Sequence, residues 1–415
     1  MLNILINAYA VAPNWGSEQG MGWNWVTNIA KFCNVFVITE GEWRKEIEEA
    51  VEKLPQKDNI HFYYNPISDR IRRMCWNQGD WRFYWYYHKW QKSTLRIARQ
   101  ICVEQKIDII HQLNMIGFRE PGYLWKIKGP SFFWGPIGGI EATSIRFLHH
   151  QNLFTGGKIL LKNVLTKIQL NFAPRVKKAL KRSDVVLAAT NGGYRLLEKF
   201  HCKKLLCVNE TGLYPLNDNV LQKTQSGLNL LWVGKLDYRK QLHLAIETMA
   251  HLADEKDIKL HIVGLNKNNE IHIQSFATSI GVSSKLVWHG RISHDEVQQL
   301  MQTSDLFFFT SIHEGTPHVI LEAIQNNLPV VCFDVCGQGD VVTECIGRKI
   351  KMSDYNSAIK DFASTIEFLY DNRTELHNMS VNCHFVKASL SWENKILNIV
   401  KLYKESMESK CPYNK

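Results

Sequence analysis

Short apolar runs alternate with longer amphipathic stretches along the whole chain. In the first half the runs are Ile4–Ile6, Val35–Ile38, Ile60–Tyr64, Asp108–His111, Ser131–Trp134, Asp184–Ala188 and Leu205–Val208. In the second they are Leu228–Val233, Lys259–Val263, Leu286–Trp288, Asp305–Phe309 and Pro329–Phe333. They are mostly apolar throughout, as expected of strands covered on both faces. Most lead into a cluster of turn formers and then a helical stretch, which predicts repeated βα units and parallel sheets. A turn-rich segment, Thr211–Asp218, separates the halves. The fold expected is α/β, with two doubly wound, Rossmann-like domains facing across a cleft. Ligands of such sheets bind at the carboxyl ends of the strands.

Composition adds an asymmetry. The 415 residues carry a net charge of +10. Residues 1–210 hold 30 Lys and Arg against 17 Asp and Glu, or +13, and the remainder 20 against 23, or −3. A basic excess in one half points to an anionic partner there. No run reaches the ~18 apolar residues a membrane span needs, and Met1–Pro13 has no basic residue ahead of its apolar run, so no secretory leader is expected. The ten cysteines show no C-x2-C pairs and read as reduced core residues of a cytoplasmic protein, with no metal site expected.

Segment 70–99 breaks the βα rhythm, with eight basic residues, one acid (Asp80) and eight aromatics between Trp76 and Trp90. On a helix, Trp81, Tyr84, Trp85 and His88 share a face. It reads either as a core helix with a wet basic flank or as an interfacial helix on an anionic membrane. Stacking on nucleic acid ranks below both, since no recognised motif accompanies it, and no nucleic-acid partner is expected.

Three segments carry candidate chemistry. After the first run comes Gly16-Ser-Glu-Gln-Gly20-Met-Gly22, where glycines and a helix start suit an anion or form an ordinary turn. The second half opens with Val233-Gly234-Lys235-Leu-Asp-Tyr-Arg239-Lys240, and both lysines can neutralise a diphosphate. Cations crowded at a helix start are unfavourable unless an anion is near. Third is Ser311-Ile-His-Glu314-Gly315-Thr316-Pro317-His318-Val319-Ile-Leu-Glu322. Here Glu314 falls in a loop and Glu322 on a helix that begins at Thr316-Pro317, so the two can bracket a polyol while free N–H groups hold a phosphate.

The ordered set of motifs resembles the retaining glycosyltransferases of family 4, also called group 1, of GT-B fold. Val233-Gly-Lys-Leu-x3-Lys240 is similar to that family's V-G-R-L-x3-K, and Leu260–Gly264 and Val287–Gly290 resemble its next two strand exits. Glu314 and Glu322 match its E-x7-E element, and Ser391-Trp-Glu393 resembles the element that returns the last helix to the first domain. The resemblance implies domains at 1–210 (acceptor) and 211–385 (donor), with a returning helix at 386–415. It implies a UDP- or GDP-linked sugar donor, a glycan or lipid-linked acceptor, bacterial surface-polysaccharide synthesis, and no cofactor or metal. The implied catalytic residues are Glu314, Lys240 and Lys235. The implied donor site comprises Gly16, Gly234, Lys235, Lys240, Gly264, Arg291, Glu314, Gly315, Thr316, Pro317, His318, Val319 and Glu322. Its alternatives are a sugar-nucleotide epimerase of the same fold or a non-catalytic membrane-associated module. Two departures stand out. Position 235 is Lys in place of Arg, and the family's histidine after the fifth strand is missing. His111, one strand earlier, is the candidate in its place, unless it is a structural histidine.

Overall fold

The computed structural model describes residues 1–75, 81–214, 227–315 and 317–410. The chain forms two compact units. One contains Met1–Glu141, Leu165–Thr211 and Trp392–Lys415, the other Ala142–Val164 and Gly212–Ser391.

The first unit is built on seven parallel strands. They are β1 (Asn3–Ala8), β2 (Asn34–Thr39), β3 (Ile60–Tyr64), β4 (Ile109–Asn114), β5 (Ser131–Ile137), β6 (Val185–Ala188) and β7 (Leu205–Cys207), ordered β3-β2-β1-β4-β5-β6-β7. Register pairs Ile4 with Val35 on one side and Ile109 on the other. Side chains alternate across the sheet, so β1 feeds two cores. Ile4 and Ile6 pack with Trp25, Val26 and Ile29 of the helix Ser17–Ile29, whereas Leu5 packs with Tyr87 and Trp90 of the helix Phe83–Glu104. This two-sided burial is why the strands read as continuous apolar runs.

The last helix, Trp392–Glu408, belongs to the first unit and buries Trp392, Ile396, Ile399, Val400 and Tyr403. Trp392 meets Trp25 edge-on at 6.3 Å, and the Trp25 indole donates to the Glu210 carbonyl at 2.8 Å. Full burial of such side chains is worth roughly 1.5–3 kcal/mol each. The preceding helix, Arg373–Leu390, stays in the second unit.

The second unit has six parallel strands: β8 (Leu228–Val233), β9 (Ile258–Val263), β10 (Leu286–Gly290), β11 (Leu306–Phe309), β12 (Val330–Phe333) and β13 (Gly347–Ile350), ordered β10-β9-β8-β11-β12-β13. Strand β13 has the sequence Gly-Arg-Lys-Ile and was not expected. It is an edge strand, needing no apolar run. Residues 142–164, expected with the first domain, pack with the second. Phe147 is fully buried against Phe333 at 5.2 Å and near Tyr355. Among the described residues no helix is long and apolar enough to cross a membrane.

Candidate active site

In the second sheet, β8 leads outward to β9 and β10, while β11 leads the other way to β12 and β13. The loops leaving β8 and β11 therefore diverge at adjacent strand ends, where doubly wound sheets bind ligands. These loops contain Gly234–Lys240 and Thr310–Pro317.

Close backbone approach sets the floor of this site. Gly264 has φ +105°, and a side chain there would put its Cβ 2.4 Å from the Gly234 carbonyl oxygen. Only glycine lets the exits of β8 and β9 touch this way. The Gly264 N–H donates to the Gly290 carbonyl at 2.7 Å, which adds the exit of β10.

The β8 loop is bolted to the β11 exit. The Thr310 hydroxyl donates to the Lys240 carbonyl at 2.7 Å, and the Ile312 N–H to the Arg239 carbonyl at 2.8 Å. Arg239 is held by its own turn, with its guanidinium 2.8 Å from Asp237. Burial pushes the Asp237 carboxyl up, but hydrogen bonds and charge from Arg239 outweigh it and hold the carboxyl below its usual range.

Lys240 and Glu314 meet as an ion pair, Nζ to Oε1 at 2.8 Å, with side chains 20% and 17% exposed. The ammonium also sits 4.9 Å from the centre of the Phe309 ring. Ser311 Oγ lies 2.9 Å from Glu314 Oε1 and 3.1 Å from the Arg239 carbonyl, so its single proton can serve either acceptor. A carboxylate and an ammonium are thus presented together at the strand exits, partly shielded from water, where their charges act strongly on a ligand.

Around this pair, Lys235 and Arg291 are exposed, and Gly234, Gly315, His318 and Val319 are half-buried. Pro317 caps the helix His318–Gln325. Thr316 lies outside the described residues. Burial pushes the His318 imidazole below its ordinary range. Glu322 is 32% exposed, with Gln298 Nε2 at 3.4 Å and His294 Nε2 at 3.8 Å; burial pushes its carboxyl up against the pull of both neighbours. His313, which the motif reading passed over, is driven to about 4 by burial with Lys162 and Arg239 nearby, so it is neutral at pH 7.

The first unit treats its candidates differently. Gly16 is exposed at the start of the helix Ser17–Ile29 with open space where a side chain would go. Gly20 and Gly22, read as part of the same turn, instead lie inside that helix. A Cβ on Gly22 would meet the Ala10 carbonyl oxygen at 2.3 Å, so that glycine serves helix packing. His111 is a core residue rather than a surface-facing one. It is fully buried in β4, with Nδ1 2.6 Å from the Tyr403 hydroxyl and Nε2 2.7 Å from the Gly135 carbonyl. Burial lowers its pKa to about 4, and neither ring nitrogen is left for a ligand. Glu18 is the group that sequence reasoning missed here. Its Oε1 accepts from the Ile116 N–H at 3.2 Å, while Oε2 is buried without a partner. Burial, reinforced by Glu210, lifts its carboxyl to about 8.

Residues 216–383 match the sequence family described as glycosyl transferases group 1. The matched stretch falls within the second unit. The chain is 32% identical over 124 residues to the lipopolysaccharide glucosyltransferase WaaG of Escherichia coli K12, a stretch covering 29% of this chain and 32% of that protein. It spans about a third of the length of the curated relatives it matches. In fold it is similar to the apo lipopolysaccharide outer core galactosyltransferase WaaB, with a TM-score of 0.63 and 15% identity over 99% of this chain and 100% of that one. It is also similar to Anabaena HepE in complex with UDP, with a TM-score of 0.60 and 12% identity over 98% of this chain and 100% of that one. At such identities the likeness is one of fold, the two Rossmann-like domains of the GT-B glycosyltransferases.

Proposed function

We propose that the protein is a retaining glycosyltransferase of family 4. It moves a hexosyl group from a UDP- or GDP-linked sugar to a glycan or lipid-linked acceptor, in bacterial capsule, exopolysaccharide or lipopolysaccharide synthesis. The observation that carries this reading is the Lys240–Glu314 ion pair at the switch point of the second sheet. The names of WaaG and WaaB, and UDP in the HepE structure, support the substrate class.

In this reading the donor diphosphate replaces Glu314 as the partner of Lys240, with Lys235 as a second cation and the first turn of the helix His318–Gln325 supplying N–H groups. Glu314, released, turns to the sugar hydroxyls, and Glu322 serves the ribose. The bond from the anomeric carbon to the phosphate oxygen breaks and its electron pair leaves with the nucleoside diphosphate. The acceptor oxygen bonds to the anomeric carbon on the same face, and its proton passes to the departing phosphate. Fixed cations and N–H dipoles stabilise the growing charge on the leaving group, so the reaction proceeds without a metal. The enzyme would work in the cytoplasm, peripherally at the inner face of the plasma membrane.

The test is a panel of UDP- and GDP-sugars, assayed with a chelator, reading donor hydrolysis, transfer and product anomer by NMR. Retained configuration, lost in Glu314→Gln and Lys240→Ala, supports the proposal. An isomerised nucleotide sugar would make the protein an epimerase, and donor binding without turnover a binding module. No donor bound or consumed sinks the reading altogether.

A further inference from the structure

Four histidines of the second unit, His149, His150, His243 and His272, line one cavity of about 220 Å³, together with Tyr238 and Gln241. Neither Lys240 nor Glu314 lines it. Three distant segments build it. The loop leaving β8 supplies Tyr238 and Gln241, the helix Lys267–Ser279 supplies His272, and His149 and His150 follow Phe147, which is buried in the second unit. No spacing along the chain announces such a cluster.

The imidazoles are packed ring on ring. His150 lies 4.5 Å from His243 with the planes 10° apart, and Phe276 meets both edge-on, at 5.1 and 5.0 Å. His149 stacks on Tyr355 at 4.1 Å. His150 Nε2 is 2.6 Å from Glu247 Oε1. Among the described residues, no hydrogen bond reaches the ring nitrogens of His149, His243 or His272. His243 is half-buried all the same, and buried polar groups normally find a partner. His150 and Gln241 also lie at φ +61° and +51°. Side chains rarely adopt that region, and residues held there cluster at ligand sites.

Charge says which ligand fits. Burial first, then His150 and His272, push the His243 imidazole down to about 4. Protonating one ring therefore opposes protonating its neighbour, and a negative ligand among them reverses that opposition. The acids nearby are already engaged. Asp237, which also lines the cavity, gives both carboxylate oxygens to Arg239 at 2.8–3.2 Å, and Glu247 is held by His150. Tyr238 and Tyr355 stay neutral, their phenols pushed up by burial. The helix Leu242–His251 starts at the cavity with no side-chain cap and no acid in its first turn, so its free N–H groups add to the positive potential. A metal ion is served less well. Stacked rings aim their nitrogens side by side, not at a common centre. Among the described residues, no three His, Cys, Asp or Glu side chains are grouped to hold one.

We propose that the cavity ringed by His149, His150, His243 and His272 binds a small phosphate-bearing anion, inorganic phosphate or a phosphomonoester. The imidazoles donate hydrogen bonds to its oxygens, and protons are taken up with it, because a charged ring becomes favourable here once the anion is present. Tyr238 and Gln241 lie on the loop that carries Lys235 and Lys240, so the anion sits beside the proposed donor loop without touching its cations. Binding is read with no sugar donor and no turnover, so the inference stands apart from the proposed transfer.

The experiment is isothermal titration calorimetry of the full chain with sodium phosphate and with glucose 1-phosphate, at pH 6 and pH 8, in two buffers of different ionisation enthalpy. Four proteins are compared: wild type, His243→Phe, His149→Gln/His272→Gln and Lys240→Ala, each checked by circular dichroism. Phenylalanine keeps the stacked packing and removes the ring nitrogens, and His149 and His272 are exposed. Wild type should bind more tightly at pH 6 than at pH 8, with proton uptake, although phosphate carries more charge at pH 8. Both histidine variants should lose at least tenfold in affinity at pH 6, and Lys240→Ala should keep it. The tighter of the two ligands then names the source of the anion. No binding at pH 6, binding that both folded histidine variants retain, or binding that Lys240→Ala abolishes overturns the inference. So does zinc chloride bound through the histidines where phosphate is not.

Discussion

Replacing Glu18 by glutamine should make the protein more stable in neutral and alkaline solution and leave it unchanged in acid. The carboxyl is lifted from an ordinary value of 4.5 to about 8, chiefly by burial and then by Glu210. A raised carboxyl keeps its proton in the fold after the open chain has lost it. Stability from this group is therefore whole below pH 4.5, falls as pH rises toward 8, and is flat beyond. Each unit is worth ~1.4 kcal/mol, so the whole span bounds the effect at about 5 kcal/mol. Glu18 is not wholly shut off from water, so about 2–4 kcal/mol is the expected difference at pH 8. Glutamine keeps the acceptor for the Ile116 N–H and, like the protonated acid, presents hydrogen at the unpartnered Oε2. Lys395, pushed down to about 8 by burial, starts to lose its proton in the fold at the top of this window and adds a slope of its own there, which both proteins share. The assay is urea unfolding of both proteins from pH 4 to 9, plotted as their difference, which cancels every group they share. A difference that does not grow between pH 5 and 8 would refute the reasoning.

Three further outcomes follow from the geometry. Glu314→Gln, retaining its hydrogen-bond acceptor but not its charge, should cut transfer at least 100-fold while circular dichroism is unchanged; near-normal turnover removes Glu314 from the reaction. Tyr403→Phe strips the hydroxyl from His111 Nδ1 in a sealed core, and should cost about 1–3 kcal/mol in urea unfolding while donor affinity is kept; a selective loss of turnover at full stability would return His111 to the chemistry. Gly264→Ala places a Cβ 2.4 Å from the Gly234 carbonyl at φ +105°. It should weaken donor affinity by calorimetry at least tenfold, and unaltered affinity would mean that the strand exits do not form the floor of the site.

Every apolar run became a strand because a parallel sheet covered on both faces admits little else. Among the described residues the one strand missed, β13, is an edge strand of polar sequence. Helix boundaries were less legible. Gly20 and Gly22 look like loop glycines until the helix Ser17–Ile29 is seen pressed on the Ala10 backbone. His111 occupies the middle of β4, not its end, and a strand-interior position buries its ring. On the helix Leu153–Phe172 Ile159 and Leu170 are buried while Leu161 and Ile168 are exposed, and the same helical periodicity serves both faces, so sequence alone does not reveal which one meets water.

By itself the sequence determined the α/β class, the strands that are apolar runs, the uneven charge and the order of the motifs, because these depend on residue type and local spacing. Only the tertiary structure brought Lys240 to 2.8 Å from Glu314 and sealed His111 between Tyr403 and Gly135. It also buried Glu18 within reach of the charge on Glu210. Pairing, burial and protonation depend on what distant segments place beside a group, and that is settled when the sheets and helices pack.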